Sequence, residues 1–314
     1  MEHLKPRIEF YRQRSFSEKM NVVFTFIREN WKPLLKYSFY LIMPVCLIQT
    51  FAMNAMINLS FAAGFNSAEG SNPFGYSFVS FLSSYGVYLL CTLIGSGFMS
   101  GLIYAMMQTY AVRENGLQQV MLNDFRDLLV KNAWKYFRMM LAILLVFVLI
   151  ALFMGLLAAM VSSWSLIATI PLFLVCLLCL IPLMMTVPAY IFERDLTFTG
   201  AIRKAWKLGM ATLGGMIGLM IVLSFISSVI QTITMLPWYI VAIIGNIFSV
   251  ASESTINQSV IYKFVTYVLG LIQAYGMYVS SIIGIIGLAF QYFHAREKVE
   301  GVTIESNITN FSNL

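Results

Sequence analysis

Six runs of apolar residues, each about twenty or more long and almost free of charge, limit what this chain can fold into. A helix needs about 20 apolar residues to cross roughly 30 Å of hydrocarbon, and inside a bilayer every backbone N–H and C=O must be satisfied within the protein. The runs lie at about 34–57, 78–112, 139–161, 166–192, 208–236 and 264–290. With 11% charged residues the chain is far from the roughly 25% typical of soluble domains. The expectation is an all-α polytopic membrane protein: six transmembrane helices as three helical hairpins, with cytoplasmic amphipathic helices before them.

The net charge of +6 would hint at nucleic acid if the bases were spread over a soluble surface. They are not. With the N-terminus in the cytoplasm, only Lys263 of the 20 Lys and Arg falls outside, and Glu69 and Glu253 are the only acids there. That asymmetry follows the positive-inside rule. It predicts cytoplasmic termini, a basic inner face suited to anionic headgroups, and no nucleic-acid partner. The first 33 residues are polar and carry no short apolar core, so the first span is expected to act as its own uncleaved signal.

Three copies of one pattern stand before apolar runs: Ile27-Arg28-Glu29-Asn30-Trp31-Lys32, Val130-Lys131-Asn132-Ala133-Trp134-Lys135 and Ile202-Arg203-Lys204-Ala205-Trp206-Lys207. A tryptophan prefers the headgroup layer and a lysine snorkels to water, so Trp31, Lys32, Trp134, Lys135, Trp206 and Lys207 read as interfacial anchors. Either one module occurs three times or common anchoring chemistry repeats. Around the anchors, Arg28, Lys36, Lys131, Arg138, Arg203 and Lys204 are the expected contacts for anionic lipid.

In chain order, residues 1–33 form a cytoplasmic amphipathic segment. Ser15 to Glu18 reads as a capping box, and Phe16, Met20, Val23, Phe24, Ile27 and Trp31 form an apolar face closed by Pro33. This face can lie in the interface or pack on the protein's own cytoplasmic loops. Residues 34–112 are hairpin one, with a turn-rich outer loop at 58–77. Residues 113–192 hold a second amphipathic segment and hairpin two, turned tightly at Ser162, Ser163 and Trp164 and bearing Pro171, Pro182 and Pro188. Residues 193–293 hold a short helix capped by Thr197 or Thr199 and hairpin three, and 294–314 are a cytoplasmic tail. Residues 237–251 are too short for a span at about 22 Å as a helix, which predicts a re-entrant or interfacial segment on the outer face. Gly97 with Gly101, Gly214 with Gly218, and Gly276, Ser280 and Gly284 line single faces and predict close helix packing.

Beyond Lys36 at the mouth of the first span, no ionisable side chain lies in the runs, which argues against proton relays and ion-coupled transport. Gln49, Asn54, Gln108, Gln231 and Gln273 are expected to hydrogen-bond between helices. Cys46, Cys91, Cys176 and Cys179 fall in spans and read as packing residues. Glu193, Asp195, Asp124 and Asp127 read as solvated loop charges and helix caps. With two histidines, and no HExxH, P-loop, GxGxxG or GxSxG, no catalytic or metal site is predicted and no cofactor is expected.

The run from Pro188 through Glu193, Ala201 and Trp206 to Leu208 resembles the six-span membrane domain found with bacterial glycerophosphodiester phosphodiesterases and related integral membrane proteins. Phe24 to Pro44 and the Phe290-Gln291-Tyr292-Phe293, Glu297, Gly301 series are similar to it as well. The chain lacks the attached phosphodiesterase domain, so the resemblance implies a bacterial cytoplasmic-membrane protein and transfers no catalytic residue. On that reading Asn58-Leu59-Ser60 and Asn257-Gln258-Ser259 match the glycosylation pattern by chance. The expected function is non-catalytic, acting on lipids or a partner membrane protein through the basic inner face. The alternative is a channel or facilitator for a small or amphipathic solute.

Overall fold

In the computed structural model, which describes residues 8–68, 76–113, 115–160, 178, 180–193, 195–251 and 259–303, every regular element is helical. In order they are α1 (Phe16–Ala68), α2 (Tyr76–Val112), a 3-10 turn (Leu122–Asp124), α3 (Arg126–Met160), α4 (Thr186–Phe192), α5 (Phe198–Ala211), α6 (Leu213–Ala251) and α7 (Val260–Glu300). Five helices, α1, α2, α3, α6 and α7, are long and apolar enough to cross a membrane, and Leu180–Phe192 is a shorter apolar helix.

Local signals explain the ends. Glu18 accepts from the Ser15 N–H at 2.7 Å and the Glu18 N–H returns to Ser15 Oγ at 3.4 Å, the reciprocal box expected at the start of α1. Thr197 caps α5 by accepting from the Gly200 N–H at 3.2 Å. Asp124 accepts from the Met121 N–H and pairs with Arg113, so it is the cap read from the sequence. After α7, Gly301 takes φ +62° and its N–H closes on the Glu297 carbonyl at 3.1 Å, a left-handed cap that a side chain would strain.

The long helices depart from the expected boundaries. α1 runs unbroken through Pro33 and on to Ala68, so Pro33 closes nothing and only 69–75 remain of the outer loop, outside the described residues. α6 continues through Pro237 to Ala251, so residues 237–251 are not a separate re-entrant segment. A buried or lipid-facing helix tolerates such prolines when neighbours satisfy the freed carbonyl. The Ser162–Trp164 turn, Pro171, Cys176, Cys179, Glu69, Glu253 and Asn257 also lie outside the described residues.

Two compact units can be distinguished. The first comprises Met1–Pro33, Ser100–Ser224 and Ile283–Leu314, the second Leu34–Met99 and Phe225–Ile282. In the second, segments of α1, α2, α6 and α7 are clasped by polar side chains. Gln49 accepts from Tyr278 at 2.6 Å and donates to Thr92, and Trp238 donates to Asn54 at 2.8 Å beside a small core of Met53 and Ala242. α6 and α7 run antiparallel there, Tyr262 reaching the Ala242 carbonyl while Ser227 reaches that of Ser280. The first unit has an aromatic core in which Phe26, Tyr110, Phe290, Phe293 and Phe192 meet edge to face.

The outward surfaces are apolar. On α6, Phe225, Val229, Ile233, Leu236, Ile240 and Ile244 make an exposed stripe at helical spacing, and on α3 Leu141, Leu144, Leu145, Val148, Leu149 and Leu152 do the same. A continuous apolar face of this kind is stable only against hydrocarbon or another protein. The described fold is all-helical, with outward faces and helix lengths that suit a membrane.

The glycines divide. A Cβ on Gly101 would stand 2.9 Å from the backbone nitrogen of Ala133, so α2 and α3 touch through their backbones, and one on Gly276 would collide with Thr234. Gly97 is buried. Added atoms at Gly214 and Gly284 meet nothing within 4 Å among the described residues, and at Gly218 only Phe16 at 3.6 Å. Small-residue spacing therefore marks contact at Gly101 and Gly276 but not at Gly214 and Gly284, because spacing says which face is small and not whether a neighbour uses it. Ser280 is buried and its carbonyl is bonded by Ser227. Gly101→Val is expected to destabilise by about 1–3 kcal/mol through overpacking. Gly214→Ala should be neutral or stabilise by up to about 1 kcal/mol. Thermal melts of the two variants in one detergent check the contrast.

Candidate functional site

The three tryptophans of the repeated pattern all belong to the first unit and all face outward, at 51%, 60% and 41% exposure for Trp31, Trp134 and Trp206. Two carry a cation over the indole: Lys32 lies 5.8 Å from the Trp31 ring and Arg138 5.7 Å from that of Trp134. Such a pair keeps the ring at a wet apolar boundary and the charge beyond it. Arg28, Lys32, Lys36, Lys131, Arg138, Arg203 and Lys207 are exposed. Lys135 and Lys204 are not free surface bases. Lys135 is half-buried and donates to the Tyr190 carbonyl, and Lys204 is held between two glutamates.

Those glutamates belong to a closed ring of four charges that the sequence reading missed. Lys204 on α5 lies 2.8 Å from Glu193, after α4, and 2.9 Å from Glu300 at the end of α7. Arg296 lies 3.0 Å from Glu300 and 3.5 Å from Glu193. Buried Tyr292 donates to Glu193, and Arg296 donates to Tyr11 at 3.1 Å. Burial alone would lower the Arg296 guanidinium, but Tyr292, Tyr11 and Glu193 outweigh it and hold it above its ordinary value. Burial would raise Glu300, yet hydrogen bonds from Lys204 and Arg296 hold it below the usual carboxylate range. Glu193 is thus a structural clasp and not a solvated loop charge. The only local sign of it is the spacing of Arg296 and Glu300, one turn apart on a helix.

A second polar cluster lies where α1 begins. Lys19, 4% exposed, donates to Gln291 on α7 at 2.9 Å, and Gln291 donates to Thr212 between α5 and α6 at 3.3 Å. The Arg14 backbone N–H donates to Nδ1 of His294 at 3.0 Å. Burial, with Lys298 nearby, lowers the Lys19 ammonium to about 8; burial, with Lys19, Lys298 and Arg14, lowers His294 to about 4. The buried face of α1 is therefore Lys19, Val23, Phe26, Asn30 and Leu34, while Phe16, Phe24 and Trp31 point out. Of the expected apolar face, Val23 is buried, Met20 and Ile27 are half-buried, and Phe16, Phe24 and Trp31 are left exposed, free to meet an interface.

Of the intramembrane amides, Gln49 and Asn54 bond between helices as expected, and Gln108 donates to the Ile191 carbonyl and accepts from Asn132 at 2.9 Å. Among the described residues no group of three His, Cys, Asp or Glu is placed to hold a metal ion. Among the described residues the chemistry assembled is ionic. No family model, no curated protein and no solved structure matches the chain.

Proposed function

We propose that this protein is a non-catalytic, six-span protein of the bacterial cytoplasmic membrane whose basic inner face engages anionic lipid or a partner membrane protein. The observation that carries the reading is the outward display of three tryptophans with cations over two of them, next to apolar faces that hydrocarbon or another protein must cover. The spans are three hairpins with both termini in the cytoplasm, the fourth being 166–192, part of which lies outside the described residues, and residues 237–251 the outer continuation of α6. The layout resemblance to the membrane domain of glycerophosphodiester phosphodiesterases is consistent with this setting. One observation favours a facilitator for an amphipathic solute instead: a cavity of about 450 Å³ in the second unit, lined by Phe51, Ile57, Val260 and Phe264 with Asn54 and Lys263 among them.

The test uses exposed bases, of which Lys32 lies over Trp31 and Lys36 over Tyr37. Each base near an anionic surface contributes about 1 kcal/mol, so replacing Lys32, Lys36 and Lys207 together with Gln should cut the preference for anionic over zwitterionic lipid by roughly tenfold or more. Quenching of tryptophan fluorescence by brominated phosphatidylglycerol against brominated phosphatidylcholine, in reconstituted bilayers, reads that ratio. An unchanged ratio would reduce these bases to topology signals.

A further inference from the structure

The first unit contains a groove of about 600 Å³ between α3, the Leu180–Phe192 helix and α5. Its size is within the roughly 300–1,000 Å³ of ordinary ligand sites. Met139, Ile143 and Val146 form one wall at helical spacing, Met184 faces them, and Phe198 and Ile202 close the side. The lining residue with a polar side-chain atom is Thr186, and its hydroxyl is already spent on the Leu183 carbonyl at 2.6 Å. The described walls thus offer water no free side-chain O–H or N–H, and the remaining Thr186 acceptor is on a buried residue, so hydrocarbon is the filling they suit.

One end of the groove is cationic. Lys135 precedes Met139 by one turn of α3, and Tyr190 follows Thr186 by one turn. The Lys135 ammonium bonds the Tyr190 carbonyl and lies 4.6 Å over its ring, while that ring meets Phe198 edge-on at 6.1 Å. An ammonium has three donors, and one is used here. Burial lowers Lys135, and the charges that lower it further are Lys131 and Arg138, both cationic. A partly desolvated cation among cations, at the end of an aliphatic groove, is complementary to an amphiphile with an anionic head and an acyl tail.

We infer that this groove holds one acyl chain of an anionic phospholipid drawn from the surrounding bilayer, with the lipid phosphate on Lys135 flanked by Lys131 and Arg138. The inference rests on the proposed lipid-engaging role and narrows it from a surface attraction to one bound molecule. Free fatty acid would bring a single carboxylate but no glycerol-linked second chain.

Native mass spectrometry of the full protein, released from bilayers of equal phosphatidylglycerol and phosphatidylcholine, counts what stays bound. The wild type should retain one phosphatidylglycerol. Ala142→Trp, which fills the groove, should lose it. Lys135→Met keeps the length and apolar stem but removes the charge, and should lower the phosphatidylglycerol preference about tenfold, with Lys135→Arg restoring most of it. The Lys32, Lys36 and Lys207 variant should keep the retained lipid whatever it does to the quenching ratio, which separates this site from the surface effect. A wild type that retains both lipids equally, a retained fatty acid or protein in place of phospholipid, or Lys135→Met with unchanged selectivity would overturn the assignment.

Discussion

Glu193→Ala should lower the stability of the purified protein by about 3–5 kcal/mol, the usual cost of removing one member of a buried charge set and stranding its partners. The ring of Glu193, Lys204, Glu300 and Arg296 is balanced, two acids against two bases, and its side chains are only 14% to 24% exposed. Without Glu193, both cations must share Glu300 and the Tyr292 hydroxyl loses its acceptor. Tyr292→Phe removes a single hydrogen bond and should cost only about 1 kcal/mol. Because Glu300 is held below its ordinary value of 4.5, its share is complete above about that pH and is lost as pH falls through the lowered value. Buried Cys46 and Cys91 give a readout, since a thiol-reactive fluorophore labels them as the protein melts. A Glu193→Ala melt within 2 °C of wild type would mean that the ring is an accident of four nearby charges.

How far the fold could be read from the sequence depended on whether the signal was local. Caps at Ser15, Thr197 and Asp124 are set by residues within three positions, and they are where the sequence places them. Helix identity was equally legible, because a bilayer leaves an apolar run little else to become. Which face of a helix meets the protein was not. A stripe at the edge of an apolar run can face either an interface or the protein, and here Phe16, Phe24 and Trp31 face outward while Val23, Lys19 and Asn30 turn in. The 237–251 segment misled for a related reason: crossing length sets a minimum for a span and says nothing about a helix that continues beyond it. Pairings such as Glu193 with Arg296 or Lys19 with Gln291 join residues about a hundred or more apart, and no spacing rule reaches across that distance.

Of these long-range pairings, that of Lys19 has a second expected result. Gln291→Leu should destabilise the protein by about 3 kcal/mol, since it leaves a buried ammonium with no acceptor and Thr212 without its donor. Lys19→Met should be neutral or stabilising, because it removes the desolvated charge and keeps the apolar stem packed, and the double variant should fall near wild type. The same cluster sets a pH profile. Lys19 folds with its value lowered from 10.5 to about 8, so the unfolded chain holds more protons between those limits. Its full contribution is present above 10.5 and is lost as pH falls through 8, which means that at neutral pH the charged lysine weighs against folding. His294, lowered from 6.5 to about 4, follows the same sign in a separate window: stability is complete above 6.5 and declines toward 4 as the imidazole gains a proton and gives up the Arg14 N–H. With Lys19, Lys298 and Arg14 all cationic around a half-solvated ring, the acid loss should be about 1–2 kcal/mol. Melts from pH 4 to 10 should therefore rise in an acid step and an alkaline step for the wild type, and Lys19→Met should shrink the alkaline step to what Lys135, also lowered by burial, contributes. An alkaline step of undiminished size in Lys19→Met would assign that window to another group.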